Sequence, residues 1–540
     1  MGKILSSPHA AGRTGETGTV TWWRDAVLYH VYVRSFADAD GDGVGDLPGV
    51  RARLDHLGAL GVDAIWLSPT SVSPDADHGY DVSDYRHVQP VLGGDAALDQ
   101  LIAAAHARGL RVLLDLVPNH TSVEHPWFVD ARGGRGSRHR DWYVWAHGRD
   151  GGPPNNWISD FRERGSPRSA WTLDPRSGEW CLTSFLPLQV DLNWRSPAVR
   201  AEFLDILAAW FRRGADGVRI DVAHKLVVDA GLRDNPPLAP GDDPVSRARG
   251  QRQVMNAERP ELHDILRSWR RLADSLTPPR LLLGETYVGD VARLAPFHGA
   301  DDELHLALNV PFLRSELTAP ALRRVVDATL AALPAGAWPL WCASSHDDGR
   351  FPSRWCGGDE RLVRCALLIL LTLRGTPLLY YGDEIGMTDV EVAAGRRRDR
   401  AGGRDGCRTP MQWEPAPGGG FTRPGVEPWL PLGDCVRTNV RDQGRDPRSI
   451  LTLCRDLIAE RRRSEGLRRG GMAWLPSPEG VLAWRRGERH AVAVNLSAGA
   501  ADVAGARGRV RVGTDRGRDG EEVGGTLRLP GQSGVLIELG

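Results

Sequence analysis

Along the chain, short runs rich in leucine or β-branched residues alternate with longer segments whose apolar residues recur at helical spacing. The runs at 26–33, 63–68, 111–117, 217–222, 280–285, 304–310, 340–344 and 377–381 read as strands. The intervening segments 98–108 and 198–213 read as amphipathic helices, the second opened by Ser196-Pro197, an N-cap followed by a first-turn proline. Such alternation predicts a parallel sheet with helices outside it. Eight units predict an α/β fold closed into a (β/α)8 TIM barrel, which carries its chemistry at the carboxyl ends of the strands.

Two long interruptions break the alternation. Residues 121–188, between the third strand and its helix, are rich in Gly, Arg and Trp and predict an inserted subdomain. Its aromatics (Trp127, Phe128, Trp142, Tyr143, Trp145, Trp157 and Trp171) suit a small core better than a sugar-stacking wall. Residues 386–448 follow the eighth strand and contain Arg396-Arg397-Arg398-Asp399-Arg400, read as a solvated loop with contact to a phosphorylated substrate as the alternative. Beyond the helix at 449–463, apolar runs such as 491–496 and 534–537 with Gly-rich turns predict a C-terminal all-β sandwich. The expected division is therefore a disordered tail at 1–20, barrel at 21–120 and 189–465, an inserted B subdomain at 121–188 and a sandwich at 466–540.

Composition removes several function classes. The formal charge of −1 and a pI near 7.0 leave no field to draw nucleic acid or an anionic membrane. No apolar run is long enough to span a bilayer, the nearest being 365–373, and the polar first twenty residues lack the apolar stretch of a secretion signal. Seven scattered cysteines without C-x-x-C spacing argue against a zinc site and a disulfide framework, and for a reduced, cytoplasmic protein.

The chemistry begins at Arg219 and Asp221, two apart in a strand and so on one face. A core salt bridge is the simpler reading of that pair alone. Other strand ends change the balance: Asn119-His120 after the third, Glu285 at the fifth, and Ser345-His346-Asp347 after the seventh.

In this order, these motifs resemble the signature regions of glycoside hydrolase family 13, the α-amylase family, and the likeness runs from about Trp22 onward. It implies a glycoside hydrolase with Asp221 as nucleophile, Glu285 as general acid and base, and Asp347 as the third acid, with Arg219, His120 and His346 at the sugar. The setting agrees: Glu285 follows three leucines and a glycine, which favours its neutral form, whereas Arg219 favours ionised Asp221.

Asp77-His78-Gly79-Tyr80 resembles the motif of the α-glucosidase and oligo-1,6-glucosidase group, where Asp77 grips the terminal glucose and Tyr80 stacks on it. Gln189-Val190-Asp191-Leu192-Asn193 and Arg408-Thr409-Pro410-Met411-Gln412-Trp413 are similar to further signatures of that group, and Arg408 is expected to close the pocket. The resemblance implies an exo-acting α-glucosidase on small oligosaccharides or α-glucosides, with Asp221-Val222-Ala223-His224 leaning toward α-1,4 bonds. Transglycosylating relatives of the sucrose isomerase or trehalose synthase type, and oligo-1,6-glucosidases, remain alternatives. Ser345 stands where asparagine is usual and Asp348 where an apolar residue is common, which loosens the expected support of Asp347. Asp38, Asp40, Asp42 and Asp46, with the Val44 carbonyl, form an acidic Gly-rich loop suited to a structural calcium ion, and no organic cofactor is expected.

Overall fold

The computed structural model describes residues 21–161 and 166–540, so the expected disordered tail at 1–20 lies outside the described residues. Eight parallel strands form the central sheet: β1 (Leu28–Val31), β2 (Ala64–Leu67), β3 (Arg111–Leu116), β4 (Gly217–Ile220), β5 (Leu281–Gly284), β6 (Leu306–Ala307), β7 (Leu340–Cys342) and β8 (Thr376–Tyr380). Their hydrogen-bonded order is β6-β5-β4-β3-β2-β1-β8-β7. Each strand therefore lies beside its sequence neighbour, β1 meets β8, and β6 and β7 face each other across a seam with no ladder among the described residues. The fold is the expected (β/α)8 barrel, with strands shorter than the sequence runs because the run ends turn into the site loops.

Side-chain alternation sorts each strand into two populations. Leu28, Ala64, Leu113, Leu281, Leu283, Leu306, Leu340 and Leu378 fill the barrel interior. Val31, Ile65, Val112, Val218, Leu282, Trp341 and Leu379 point outward into the layer covered by helices. Those helices include α1 (Gly94–His106), α2 (Pro197–Arg213), α3 (Leu262–Asp274), α4 (Ala319–Ala332), α5 (Glu360–Thr372) and α6 (Ile450–Arg463). Ser196 does precede α2, but its side chain makes no capping bond, and Pro197 with the left-handed Gly214 delimits the helix.

The segment between β3 and α2 holds a three-stranded antiparallel sheet of Trp145–Ala146, Glu179–Leu182 and Trp171–Asp174. Trp157, Ala170, Trp171 and Leu182 make its own core, and Trp142 and Tyr143 are buried in the main one, so these rings are packing elements. A second pairing, His120–Ser122 with Gln189–Asp191, sets Asp191 opposite His120 at the edge of the barrel mouth.

The C-terminal all-β domain is one six-stranded antiparallel sheet: β9 (Met472–Trp474), β10 (Val481–Arg486), β11 (His490–Asn495), β12 (Ala501–Gly513), β13 (Glu522–Leu529) and β14 (Ser533–Leu539), in the order β9-β10-β11-β14-β12-β13. Register shifts along β12 bend it, so a continuous sheet wraps a core of Val481, Ala493, Val503, Val510, Leu527 and Ile537. The other face presents Leu482, Trp484, Val492, Val494 and Leu536 to the barrel. Between them lies α5, whose residues from Cys365 to Thr372 are all buried. No helix among the described residues is long and apolar enough to cross a membrane.

Two arginines join the domains. Arg461 and Arg486 are fully buried and meet only carbonyl oxygens, Arg461 those of Leu371, Leu373, Gly375 and Leu467, Arg486 those of Thr372, Gly466, Leu467 and Gly470. They satisfy the otherwise orphaned carboxyl end of α5. Burial pushes Arg461 down to about 10. Truncation in Arg461→Ala leaves several buried carbonyls without donors, so it is expected to destabilise the protein by at least about 2 kcal/mol. Urea or thermal unfolding monitored by circular dichroism measures this, and an unchanged midpoint would refute the account.

Candidate active site

Toward the carboxyl ends of the strands, the inward-facing positions turn polar. His30 and Trp66 follow Leu28 and Ala64 on β1 and β2 and stack with ring centroids 3.5 Å apart. Asp115 follows Leu113 on β3, Arg219 follows Gly217 on β4, and register pairs Arg219 with Asp115. Glu285 continues the inward series of Leu281 and Leu283 on β5. The same period that fills the barrel with leucine thus delivers its charged groups to one rim.

Arg219 is the hub of that rim. Its Nη1 donates to Asp221 Oδ1 at 2.7 Å and to Asp115 Oδ1 at 2.9 Å, and its Nη2 lies 2.8 Å from Glu285 Oε2. Three carboxyls around one cation cannot all ionise cheaply in a desolvated site. Burial pushes Glu285 up to about 8, Asp221 to about 7 and Asp115 to about 6, each against the pull of Arg219. Arg219 is therefore not the private partner of Asp221 that the sequence suggests, and burial raises Asp221 as well. The order still differs in the useful direction, because Glu285 holds its proton longest. Its Oε2 also accepts the backbone N–H of Val222 at 2.8 Å, which leaves Oε1 for a ligand.

Asp347 behaves oppositely. Burial disfavours its charge, but His346 and the guanidiniums of Arg404, Arg408 and Arg219 outweigh that and hold it well below the usual carboxylate range. His346 is itself pushed down to about 3 by burial and is neutral at pH 7, so the arginines carry this balance. His346 Nε2 lies 2.9 Å from the Tyr80 hydroxyl, and the two rings stack.

A cavity of about 360 Å³ opens over these groups, lined among others by Asp77, Tyr80, His120, Asp221, Glu285, His346, Asp347 and Arg404. Asp77, Tyr80 and His120 thus line one cavity with the three acids, and Arg219 lies beneath them. Arg408 does not close this cavity. It is fully buried behind Asp347, donating to the His346 carbonyl at 2.8 Å and to Asp347 Oδ1 at 3.0 Å. The closing residue is Arg404, whose Nη2 donates to Asp77 Oδ1 at 2.7 Å and Nη1 to Asp347 Oδ1 at 3.1 Å. Both arginines flank one 3-10 turn, Asp405–Arg408, which points them to different sides of Asp347. Asp115 and Arg404 are the residues that motif reading missed. Strand period and register identify Asp115, whereas nothing in the sequence separates Arg404 from Arg408.

The other residues singled out by the sequence lie elsewhere. The basic run stays outside the cavity lining, and Arg396 pairs with Glu427. Ser345 supports the loop, its Oγ accepting the N–H groups of Asp347 at 3.1 Å and Asp348 at 2.9 Å. In the acidic loop, Asp38, Asp40 and Asp42 bring carboxylate oxygens within 4.8 Å of one another. Asp46 is the N-cap of the helix Leu47–Ala52, accepting from Gly49 N at 2.6 Å and from the amides of Ala39 and Asp40.

A carboxyl pair in which one member stays protonated near neutrality, both reaching a cavity with room for a sugar ring, is equipped for glycoside cleavage. Fold and site together define a barrel glycosidase. Comparison with known proteins narrows the class: the family described as "Alpha amylase, catalytic domain" matches residues 30–470. The chain belongs to this family, glycoside hydrolase family 13, and is an enzyme of its α-glucosidase group. It is 39% identical over 489 residues to a probable alpha-glucosidase of Rhizobium meliloti (strain 1021), covering 86% of this chain and 87% of that one. It is 34% identical over 485 residues to an oligo-1,6-glucosidase of Halalkalibacterium halodurans, covering 82% and 83%. Among solved structures, the alpha-glucosyl transfer enzyme XgtA superposes with a TM-score of 0.88 at 38% identity, covering 96% of this chain and 99% of that one. The trehalulose synthase MutB from Pseudomonas mesoacidophila MX-45 superposes at 0.87 and 28%, covering 96% and 100%.

The shared guanidinium predicts a pH response. The ionised Asp221 and protonated Glu285 coexist between two macroscopic steps, so kcat/KM should rise through about pH 7 and fall through about pH 8. Asp115→Asn removes a negative charge and frees Arg219 for the others. Both limbs should then move to lower pH, the acid limb by roughly one unit. A pH profile that does not move would show that Asp115 is electrostatically uncoupled from the pair.

Proposed function

We propose that the protein is a retaining, exo-acting α-glucosidase that releases terminal glucose from short α-glucosides, with maltose-type α-1,4 bonds preferred. The observation that carries the exo reading is the Arg404 bridge from Asp77 to Asp347, which shuts one end of the cavity. A chain end fits such a pocket, and a chain interior does not. The retaining reading is supported by Asp221 and Glu285 sharing one guanidinium. Both lie within 2.8 Å of that guanidinium, a closeness that suits a nucleophile and an acid held roughly 5 Å apart better than a pair spread wider to admit water between them.

In this reading, Oδ2 of Asp221 attacks the anomeric carbon while Glu285 gives its proton to the leaving oxygen. The resulting carboxylate then takes a proton from water, which displaces Asp221 and frees glucose with its configuration retained. Asp347, held ionised by Arg404 and Arg408, accepts hydrogen bonds from sugar hydroxyls as the ring flattens. Asp77 and the neutral His120 and His346 orient the same ring. The preference for α-1,4 bonds rests on the run Asp221-Val222-Ala223-His224. A second reading, transfer of the glucosyl unit to a sugar acceptor, is favoured by the likeness to a glucosyl transfer enzyme and a trehalulose synthase. α-1,6 cleavage is favoured in the same way by the oligo-1,6-glucosidase relatives.

Two further readings accompany this one. A structural calcium ion suits Asp38, Asp40 and Asp42, whose converging oxygens repel one another without a cation, while the left-handed Gly41 and Gly43 allow the tight turn. A cytoplasmic location suits seven buried, unpaired cysteines.

In Glu285→Gln, glucose release from maltose should fall by about 10²- to 10⁴-fold, and in Asp221→Asn by at least as much, with circular dichroism unchanged. Product analysis with maltose, isomaltose, sucrose and trehalose separates the readings. Isomerised disaccharide with little free glucose would sink the hydrolase. For the loop, excess chelator should lower the melting temperature, since a cation bound at a hundred times its Kd contributes about 2.7 kcal/mol. An unchanged melt together with no metal in elemental analysis counts against calcium.

A further inference from the structure

With Asp77 and Arg404 shutting one end of the cavity, the leaving group must extend along the rest of its lining, where Tyr287, Arg314 and Arg249 stand. These three side chains come from different loops. Tyr287 lies two residues after Glu285 beyond β5, Arg314 ends the short helix Val310–Leu313 after β6, and Arg249 ends the helix Pro244–Arg249 after β4. What joins the first two is Asp348, in the loop after β7. Its Oδ1 accepts the Tyr287 hydroxyl at 2.8 Å and Arg314 Nε at 2.8 Å. The Arg314 and Arg249 guanidiniums lie 4.8 and 5.7 Å from the Tyr287 ring, so the phenol is held at its edge and over its face.

Two features make Asp348 more than one surface ion pair. Its side chain is only 6% exposed, so its bonds are not screened as rim pairs are. It also reaches from the β7 loop to the β5 and β6 loops across the β6–β7 seam, the one place in the barrel without a strand ladder among the described residues. Ser345 aims it: the serine hydroxyl accepts the Asp348 amide at 2.9 Å and lies 3.4 Å from its Oδ2. The two departures from the family motif, Ser345 and Asp348, therefore act together.

We propose that Asp348 is a positioning residue that fixes Tyr287 and Arg314 as the wall receiving the leaving sugar, and so sets how well a disaccharide is used relative to its glucosyl half alone. The proposal rests on the α-glucosidase reading, which supplies the leaving sugar.

The test compares maltose with α-glucosyl fluoride, whose leaving group is too small to touch the wall. In Asp348→Ala, kcat/KM for maltose should fall about tenfold, chiefly through KM, while that for the fluoride changes by less than about threefold. Asp348→Asn, which keeps an acceptor for the Tyr287 hydroxyl, should restore part of the loss. Tyr287→Phe, which removes one bond and keeps the ring, should show a smaller selective loss and covers the case in which Asp348→Ala fails to fold. Equal losses on both substrates would overturn the proposal in favour of a general role through Asp347, and so would unchanged use of maltose. A wild-type enzyme inactive on both substrates would instead overturn the α-glucosidase reading. In that event, calorimetry on Glu285→Gln decides the wall: Asp348→Ala in that background should weaken maltose about tenfold and leave glucose unchanged, and equal weakening or none refutes it.

Discussion

One buried guanidinium organises this molecule. Arg219 has no solvent to stabilise it, and its charge is sustained only because Asp115, Asp221 and Glu285 come within hydrogen-bonding reach from three adjacent strands. The carboxyls depend on it equally, since each would be neutral at this depth without a cation. Yet one positive charge cannot hold three negative ones, and the proton that remains has to reside somewhere. Burial places it on Glu285, the carboxyl raised furthest of the three, so that a neutral acid and an ionised neighbour stand side by side around one cation.

This hub explains why so much of the fold and site was legible in the sequence. Strand period dictates that an arginine two residues before an aspartate shares its face, and barrel topology brings strand ends together. Glu285 and Asp221 could therefore be joined across sixty-odd residues without coordinates. The eight strands were legible for the same reason: buried on both faces, they read as nearly continuous apolar runs. Asp115 obeys the same period, but it lies inside its strand and belongs to no strand-end motif.

What stayed illegible lies in loops, where no period constrains direction. Arg404 and Arg408 flank a single turn and both contact Asp347, but one faces the cavity and the other the protein behind it. Asp46 caps the helix Leu47–Ala52, a role that the alternate spacing of oxygens in the acidic loop does not reveal. The C-terminal all-β domain forms as expected, but the register shifts in β12, where its six strands join in one continuous sheet, are invisible in an apolar pattern.

Val222 shows how tightly the hub constrains its surroundings. It follows Asp221 with φ 35° and ψ 46°, a left-handed conformation that a β-branched residue adopts only under compulsion, at a cost of about 1–3 kcal/mol. The compulsion is visible on both sides. Asp221 is tied to β3 through its own N–H to the Leu116 carbonyl at 2.8 Å, and the Val222 carbonyl accepts from Lys225 at 2.9 Å to start the turn that buries His224. Between those anchors the Val222 N–H has one direction left, toward Glu285 Oε2. A relaxed residue there would release that N–H and let Glu285 rotate away from Arg219. The strained backbone thus fixes how Glu285 sits relative to Asp221, and the residue that bears the strain lines the cavity with its own side chain. Cavity shape and carboxyl geometry are coupled at this one position, so a change of side chain made to reshape the cavity would also disturb Glu285.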